Sequence, residues 1–203
     1  MSGADRTMSP WRTLHSYEAY VARPWITVSV HRVQLPDGRV VQDYHQVKLP
    51  DYTVVFAQTP DRRIILERQY KYGIRRACYV LPSGIIEDNE APAAAAEREL
   101  LEETGYASDE WRYMGGFVAS ANYGCGKAHL FIARNVRKVA EPNSGDLEDM
   151  EIVMLTRKQL AGAVRNGDVA SLSALAALAW ATNPMFAESL APPDCGAASA
   201  GQR

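Results

Sequence analysis

Cysteine is scarce: the 203 residues hold three, Cys78, Cys125 and Cys195, at wide spacing. An odd, scattered set suits neither a disulfide framework nor a zinc site, and a reducing cytoplasm is the simple expectation. The four histidines, His15, His31, His45 and His129, also lack ligand spacing. No apolar run approaches the roughly eighteen residues of a membrane helix. The N-terminal stretch has no apolar core of the kind a secretory signal needs, so no membrane partner is expected. An excess of one charge is missing too. With 22 Lys and Arg against 24 Asp and Glu, the net charge of −2 excludes a global basic field for nucleic acid. What remains is 47% hydrophobic and 23% charged, the balance of an ordinary globular chain.

No internal repeat or long linker divides the sequence, so one α/β domain with an N-terminal arm is expected. Residues 1–20 read as a flexible end and residues 188–203 as a low-complexity tail. Between them, residues 21–48 read as a β-hairpin arm and residues 49–187 as the main domain. The arm turns at Leu35, Pro36, Asp37 and Gly38, where proline presets φ and glycine accepts a positive one. Further strand-like runs cover residues 52–58, 63–70, 77–81, 112–120, 128–134 and 152–155. Helices are expected at residues 92–104, opened by Pro92 and stopped by Gly105, and after Thr156, whose pairing with Gln159 is a capping box. A last helix, residues 171–180, shows Leu172, Leu175, Ala176 and Ala179 as its apolar stripe.

The acidic charge is concentrated. Residues 84–106 carry seven acids and one base, a net −6 that leaves +4 for the rest of the chain. On a helical wheel from Pro92, Glu99, Glu102 and Glu103 share one arc, and Ala93, Ala96, Leu100, Leu101 and Thr104 take the other side. Like charges three and four residues apart repel by a few tenths of a kcal/mol per pair on an isolated helix. Such a cluster becomes favourable around a hard divalent cation, and Mg²⁺ takes oxygen ligands while keeping several waters. Arg98, four residues before Glu102, is placed to hold the cluster by charge-assisted hydrogen bonds. The plainer alternative is a solvated acidic face.

The spacing Gly84, Glu90, then Arg98, Glu99, Leu100, Leu101, Glu102, Glu103, Thr104, Gly105, Tyr106 resembles the Nudix box, G-x5-E-x7-R-E-U-x-E-E-x-G-U with U apolar. The resemblance implies a Nudix fold, a mixed sheet between helices, and metal-dependent cleavage of the diphosphate in a nucleoside diphosphate linked to another group. It places the metal ligands at Glu99, Glu102 and Glu103, with the carbonyl of Ser83 beside them, and Mg²⁺ as the cation with Mn²⁺ as a substitute. Glu102 and Glu103, with Arg98, would carry the catalysis. Gly84, Glu90 and Gly105 land on the positions that shape the loop and helix.

Outside the box, Arg68 to Lys71, Leu81 to Gly84, Lys127 to Ala133 and Asp146 to Ile152 look like the ADP-ribose pyrophosphatase branch. That branch acts on nucleotide sugars and is usually homodimeric through its N-terminal strands. Three departures leave ADP-ribose, a sibling such as GDP-mannose, and a dinucleotide all open as substrate. Ala121 stands for a usual proline, Val80 for a usual glutamate, and Cys125 and Gly126 for an acidic pair. Among other candidates, Glu148 is expected to act as a loop carboxylate over the substrate, and Glu151 either to join it or to begin a strand. Arg68 and Lys71 are expected on the substrate phosphates and Tyr123 as a stacking surface, against solvated or packing roles. Cys125 lacks an assigned histidine partner for nucleophilic work. The rival from another class is a catalytically silent Nudix-fold nucleotide sensor.

Overall fold

A strand that must be covered on both faces reads as an unbroken apolar run, and Val54 to Ala57 are such a run. In the computed structural model, which describes residues 8–145 and 150–183, they lie in β4 (Tyr52–Gln58) and are buried throughout. The chain divides into two units: one runs to Pro50 and takes in Val118–Gly126, the other comprises Asp51–Phe117 and the chain from Lys127 onward.

The first unit is an antiparallel sheet of β1 (Arg12–Ala22), β2 (Ile26–Gln34) and β3 (Val40–Lys48), in that order. It is three strands rather than the hairpin expected. Residues 12–20, read from the sequence as part of a flexible end, all lie in β1, paired along β2 from Arg12 opposite Gln34 to Ala22 opposite Ile26. Its side chains are almost all exposed, so burial leaves no signature in the sequence and the backbone ladder alone defines the strand. The β2–β3 turn is the expected one: Gly38 has φ +88° and donates to the Leu35 carbonyl at 3.0 Å. The Val118–Gly126 tip packs on β3, with Tyr44 Oη donating to the Asn122 carbonyl at 2.8 Å and the Val47 N–H to the Tyr123 carbonyl at 3.1 Å.

The second unit holds a mixed sheet of β5 (Ile64–Lys71), β6 (Arg76–Val80), β8 (Glu110–Ser120), β9 (Cys125–Arg134) and β11 (Met150–Leu155) with β4. The order is β11-β5-β4-β9-β8; β4 and β9 run parallel, and β6 pairs with the second half of β5. Two small strands, β7 (Tyr106–Ala107) and β10 (Arg137–Lys138), pair separately. One sheet face packs Val55, Ala57, Ile65 and Phe131 against Ala96 and Leu100 of α1 (Pro92–Thr104). The other packs Val54, Phe56, Leu66 and Leu130 against Leu160 of α2 (Arg157–Arg165) and Ala174, Ala177 and Leu178 of α3 (Leu172–Thr182). Each large side chain buried there contributes about 1.5–3 kcal/mol. This is the mixed sheet between helices that the resemblance implied. No described helix is long and apolar enough to cross a membrane.

Two helical faces differ from expectation. On α1, Leu101 is 39% exposed while Glu103 is only 6% exposed. The acidic stripe does not oppose the core face but overlaps it, because Glu103 lies between Ala96 and Glu99 on the wheel. On α3, Leu172 is exposed and Ala174, Ala177 and Leu178 are buried. A helix apolar all round carries no phase for a stripe to reveal.

Gly105 closes α1 with φ +74°, donates to the Leu101 carbonyl at 2.8 Å, and a Cβ there would lie 2.1 Å from the Ala140 carbonyl oxygen. Gly162, inside α2, has open space around it. Urea unfolding is therefore expected to show Gly105→Ala destabilising by at least about 2 kcal/mol, and Gly162→Ala stabilising by up to about 1 kcal/mol. Equal effects at the two positions would contradict this account of the α1 terminus.

Candidate active site

Because β4 pairs with β5 only at Ala57 and Gln58, its earlier half has a free edge. The loop after β6 takes it: the Val55 N–H donates to the Pro82 carbonyl at 2.9 Å and the Thr53 N–H to the Gly84 carbonyl at 2.9 Å. Ser83 and Gly84 are thereby held against α1. The Ser83 N–H donates to Glu103 Oε2 at 2.8 Å. A Cβ on Gly84 would sit 2.0 Å from the Glu99 carboxylate, so only glycine leaves room for that group.

Arg98 ties this loop to the helix. Its Nε and Nη2 grip both oxygens of Glu90 at 2.9 Å, and Nη2 also reaches the Ile85 carbonyl at 3.1 Å. Nη1 donates to Glu99 Oε1 at 2.6 Å and Glu102 Oε2 at 3.2 Å. The guanidinium holds the Glu90 carboxyl below its ordinary range, against the opposing pull of burial. The same carboxylates push Arg98 further up, Glu90 most strongly. Glu103 moves the other way: burial raises it most, then the neighbouring Glu67 carboxyl, while the Ser83 N–H opposes both.

Glu99 and Glu103 are thus largely enclosed, whereas the Glu102 side chain is 44% exposed. Among the described residues no group of three acidic, His or Cys side chains is drawn together as a ready-made metal cage. The donor set still fits a hard divalent cation: carboxylate oxygens from one helix, a neighbouring loop, and a glycine whose missing Cβ leaves space for Glu99.

The other candidates are dispersed. Arg68 lies opposite Glu151 across β5 and β11, 3.5 Å from its carboxylate, and both are solvent-facing. Glu151 is therefore a strand residue. Lys71 lines a cavity of about 320 Å³ with Tyr52, Cys78, Leu81, Ser83 and Ala174, whereas Arg68 lines a separate one. Tyr123 is half exposed and belongs to the tip in the first unit. Cys78 is buried and Cys125 half-buried, both as free thiols. His129 bonds and stacks with Tyr113, and burial lowers its basicity. Glu148 lies outside the described residues, as does Cys195.

Sequence reasoning passed over Glu67 and Gln69. Both sit in β5 at 0% and 2% exposure, in phase with Ile65, whose side chain faces α1. Glu67 contacts Glu103 and accepts a 2.9 Å bond from Gln69 Nε2. Its cross-strand partners are Ile152 of β11 and Val80 of β6, the latter the position where the resemblance favours glutamate. The available signal was an acid placed inside an apolar strand at an inward position.

Comparison with known proteins is consistent along the chain. The NUDIX domain family matches residues 48–174, and the nucleoside diphosphate sugar hydrolase N-terminal domain matches residues 11–47. An ADP-ribose pyrophosphatase of Bacillus subtilis is 30% identical over 100 residues, covering 49% of this chain and 54% of that protein. An ADP-sugar pyrophosphatase of Mus musculus is 34% identical over 104 residues, 48% of this chain and 47% of the relative. A methanol dehydrogenase activator of Bacillus methanolicus is 31% identical over 101 residues, 50% and 54% of the two chains. The chain thus spans about half the length of the curated relatives it matches. Among solved structures, an ADP compounds hydrolase superposes with a TM-score of 0.73 at 17% identity, covering 85% of this chain and 92% of that one. At that identity the likeness is one of fold.

Gly84→Ala isolates the geometry of the loop. The clashing atoms are the end of a flexible side chain, so the fold should lose less than about 1 kcal/mol while Glu99 swings away. Paired urea unfolding and Mn²⁺ titration should show a near-normal midpoint with affinity lowered by about tenfold or more. Unchanged Mn²⁺ affinity would detach Glu99 from the metal.

Proposed function

The chain belongs to the Nudix family, and on that premise we propose that it is a divalent-metal-dependent pyrophosphohydrolase of nucleoside diphosphate sugars, with ADP-ribose or a close relative as substrate. The single observation that carries this reading is the loop–helix unit in which Arg98 binds Glu90, Glu99 and Glu102 while Ser83 binds Glu103. The N-terminal match to nucleoside diphosphate sugar hydrolases and the names of two relatives support the substrate class.

Glu99, Glu102 and Glu103, with the Ser83 carbonyl, would hold Mg²⁺, or Mn²⁺ in its place. The chemistry such a cation supplies is neutralisation of diphosphate charge and activation of water at neutral pH. The chain's own contribution is placement. Arg98 keeps Glu99 and Glu102 in fixed rotamers, and the Ser83 N–H fixes Glu103, so the carboxylates need little reorganisation when the substrate arrives. Water adds to one phosphorus, the bridging P–O bond breaks, and the products are a nucleoside monophosphate and a sugar phosphate.

Lys71, whose cavity reaches Ser83, is the better placed of the two basic candidates for substrate phosphate, and Arg68 is assigned a secondary role. Glu148 is proposed as the loop carboxylate serving the attacking water. A homodimer through the N-terminal sheet is part of the proposal. The support is an edge strand exposed along its length, with Tyr17 and Tyr20 on it and Trp11 and Trp25 at its ends, all at least half exposed. A cytoplasmic setting is proposed from the cysteine usage.

The test is a product assay on the purified chain with Mg²⁺ across ADP-ribose, ADP-glucose, GDP-mannose, NADH and diadenosine polyphosphates. One nucleotide sugar is expected to give a nucleoside monophosphate, and Glu103→Gln to slow that reaction at least about a hundredfold, about 2.7 kcal/mol of barrier. Binding of a nucleotide with the whole panel left intact would overturn hydrolysis in favour of the sensor reading.

A further inference from the structure

Strand β5 carries two polar side chains where the sheet meets α1. Glu67 is 0% exposed and Gln69 is 2% exposed, on the face that Ile65 shares with Ala96 and Leu100. Two carboxyl groups, Glu67 and Glu103, are thereby brought into contact inside the protein. Two buried carboxylates in contact disfavour each other's charge, and a well-packed apolar residue at 67 would serve the fold better. Arg98 directs its bonds to Glu90, Glu99, Glu102 and the Ile85 carbonyl.

A second observation concerns neutral oxygens. Gln69 donates through Nε2 to Glu67 Oε2 at 2.9 Å, while its own Oε1 is buried with no donor among the described residues. Thr53, in phase with Val55 and Ala57 of β4 and joined through its N–H to the Gly84 carbonyl, likewise has a buried hydroxyl with no partner among the described residues. A buried acceptor without a donor costs about 1–3 kcal/mol. Oxygen-rich, hydrogen-poor surroundings are what a hard cation compensates.

We propose that Glu67 is a further carboxylate of the cation centre, binding a divalent cation jointly with Glu103 from the sheet side, with Gln69 orienting it. The proposal rests on the reading that the box carboxylates hold such a cation. It extends that centre from the loop–helix unit to β5, a strand outside the box spacing. Glu67 then serves the centre without belonging to the box spacing: a cation shared by the two carboxylates offsets the repulsion between Glu67 and the enclosed Glu103. The Gln69 amide holds the Glu67 carboxylate in one orientation, which is the usual task of a group bonded to a metal ligand.

The test is Mn²⁺ titration of the full chain by electron paramagnetic resonance and calorimetry, with Glu67→Gln, Glu67→Asp and Glu103→Gln beside wild type and the exposed Glu151→Gln as control. The near-isosteric Glu67→Gln relieves the carboxylate pair, so its metal-free melting temperature should hold or rise. Its Mn²⁺ affinity should fall at least about tenfold at one site, with the Mn²⁺-induced rise in melting temperature correspondingly reduced. Glu67→Asp, which keeps the charge, should fall between, and it carries the test if the glutamine variant does not fold. Wild-type affinity in both Glu67 variants alongside a loss in Glu103→Gln would overturn the role of Glu67 and leave the box reading standing. Wild-type protein that binds no Mn²⁺ would overturn that reading and this inference together.

Discussion

The guanidinium of Arg98 is the contact on which the functional part of the molecule depends. A loop and a helix that meet only through carboxylates would repel each other. Arg98 reverses the sign by bonding to Glu90 at the loop end and to Glu99 and Glu102 on the helix, with one further bond to the Ile85 carbonyl. Its side chain is 26% exposed, so solvent weakens these bonds only in part. Arginine is required rather than lysine, because one planar fork must serve both Glu90 oxygens and still reach the helix. The same geometry that stabilises the loop therefore also orients the acids.

Burial at this place works against charge, and the balance it strikes is informative. Glu103 is enclosed, held by the Ser83 N–H and confronted by Glu67. A chain selected only for a stable core would not place two acids there. The sheet tolerates them because the surrounding core is extensive: β4 is buried throughout residues 53–58, and helices cover both faces. The strong apolar packing of one half of the sheet holds a locally unfavourable, functionally oriented cluster in the other.

Much of this was legible in the sequence. Pro92 and Gly105 delimit α1 without error, Thr156 and Gln159 form their capping box, and Pro36 through Gly38 turn where turn chemistry says they should. Those features are local, and local chemistry decides them. What escaped was set by tertiary partners. Strand β1 is held by its backbone ladder with little burial, the stripe of α3 has no phase because almost every residue is apolar, and the inward turn of Glu103 depends on where the sheet lies. Glu67 escaped for the related reason that its meaning lies in a neighbour thirty-six positions away. Arg68 and Lys71, three positions apart in sequence, line different cavities once the strand is folded.

The central claim is that the box acids, fixed by Arg98 and Ser83, form one divalent-cation centre. Anomalous diffraction from crystals grown with Mn²⁺ tests it most directly. The account predicts manganese density coordinated by the carboxylates of Glu99, Glu102 and Glu103 together with the Ser83 carbonyl. Manganese found only at other acidic residues, with the Arg98 bonds to Glu99 and Glu102 undisturbed, would contradict it.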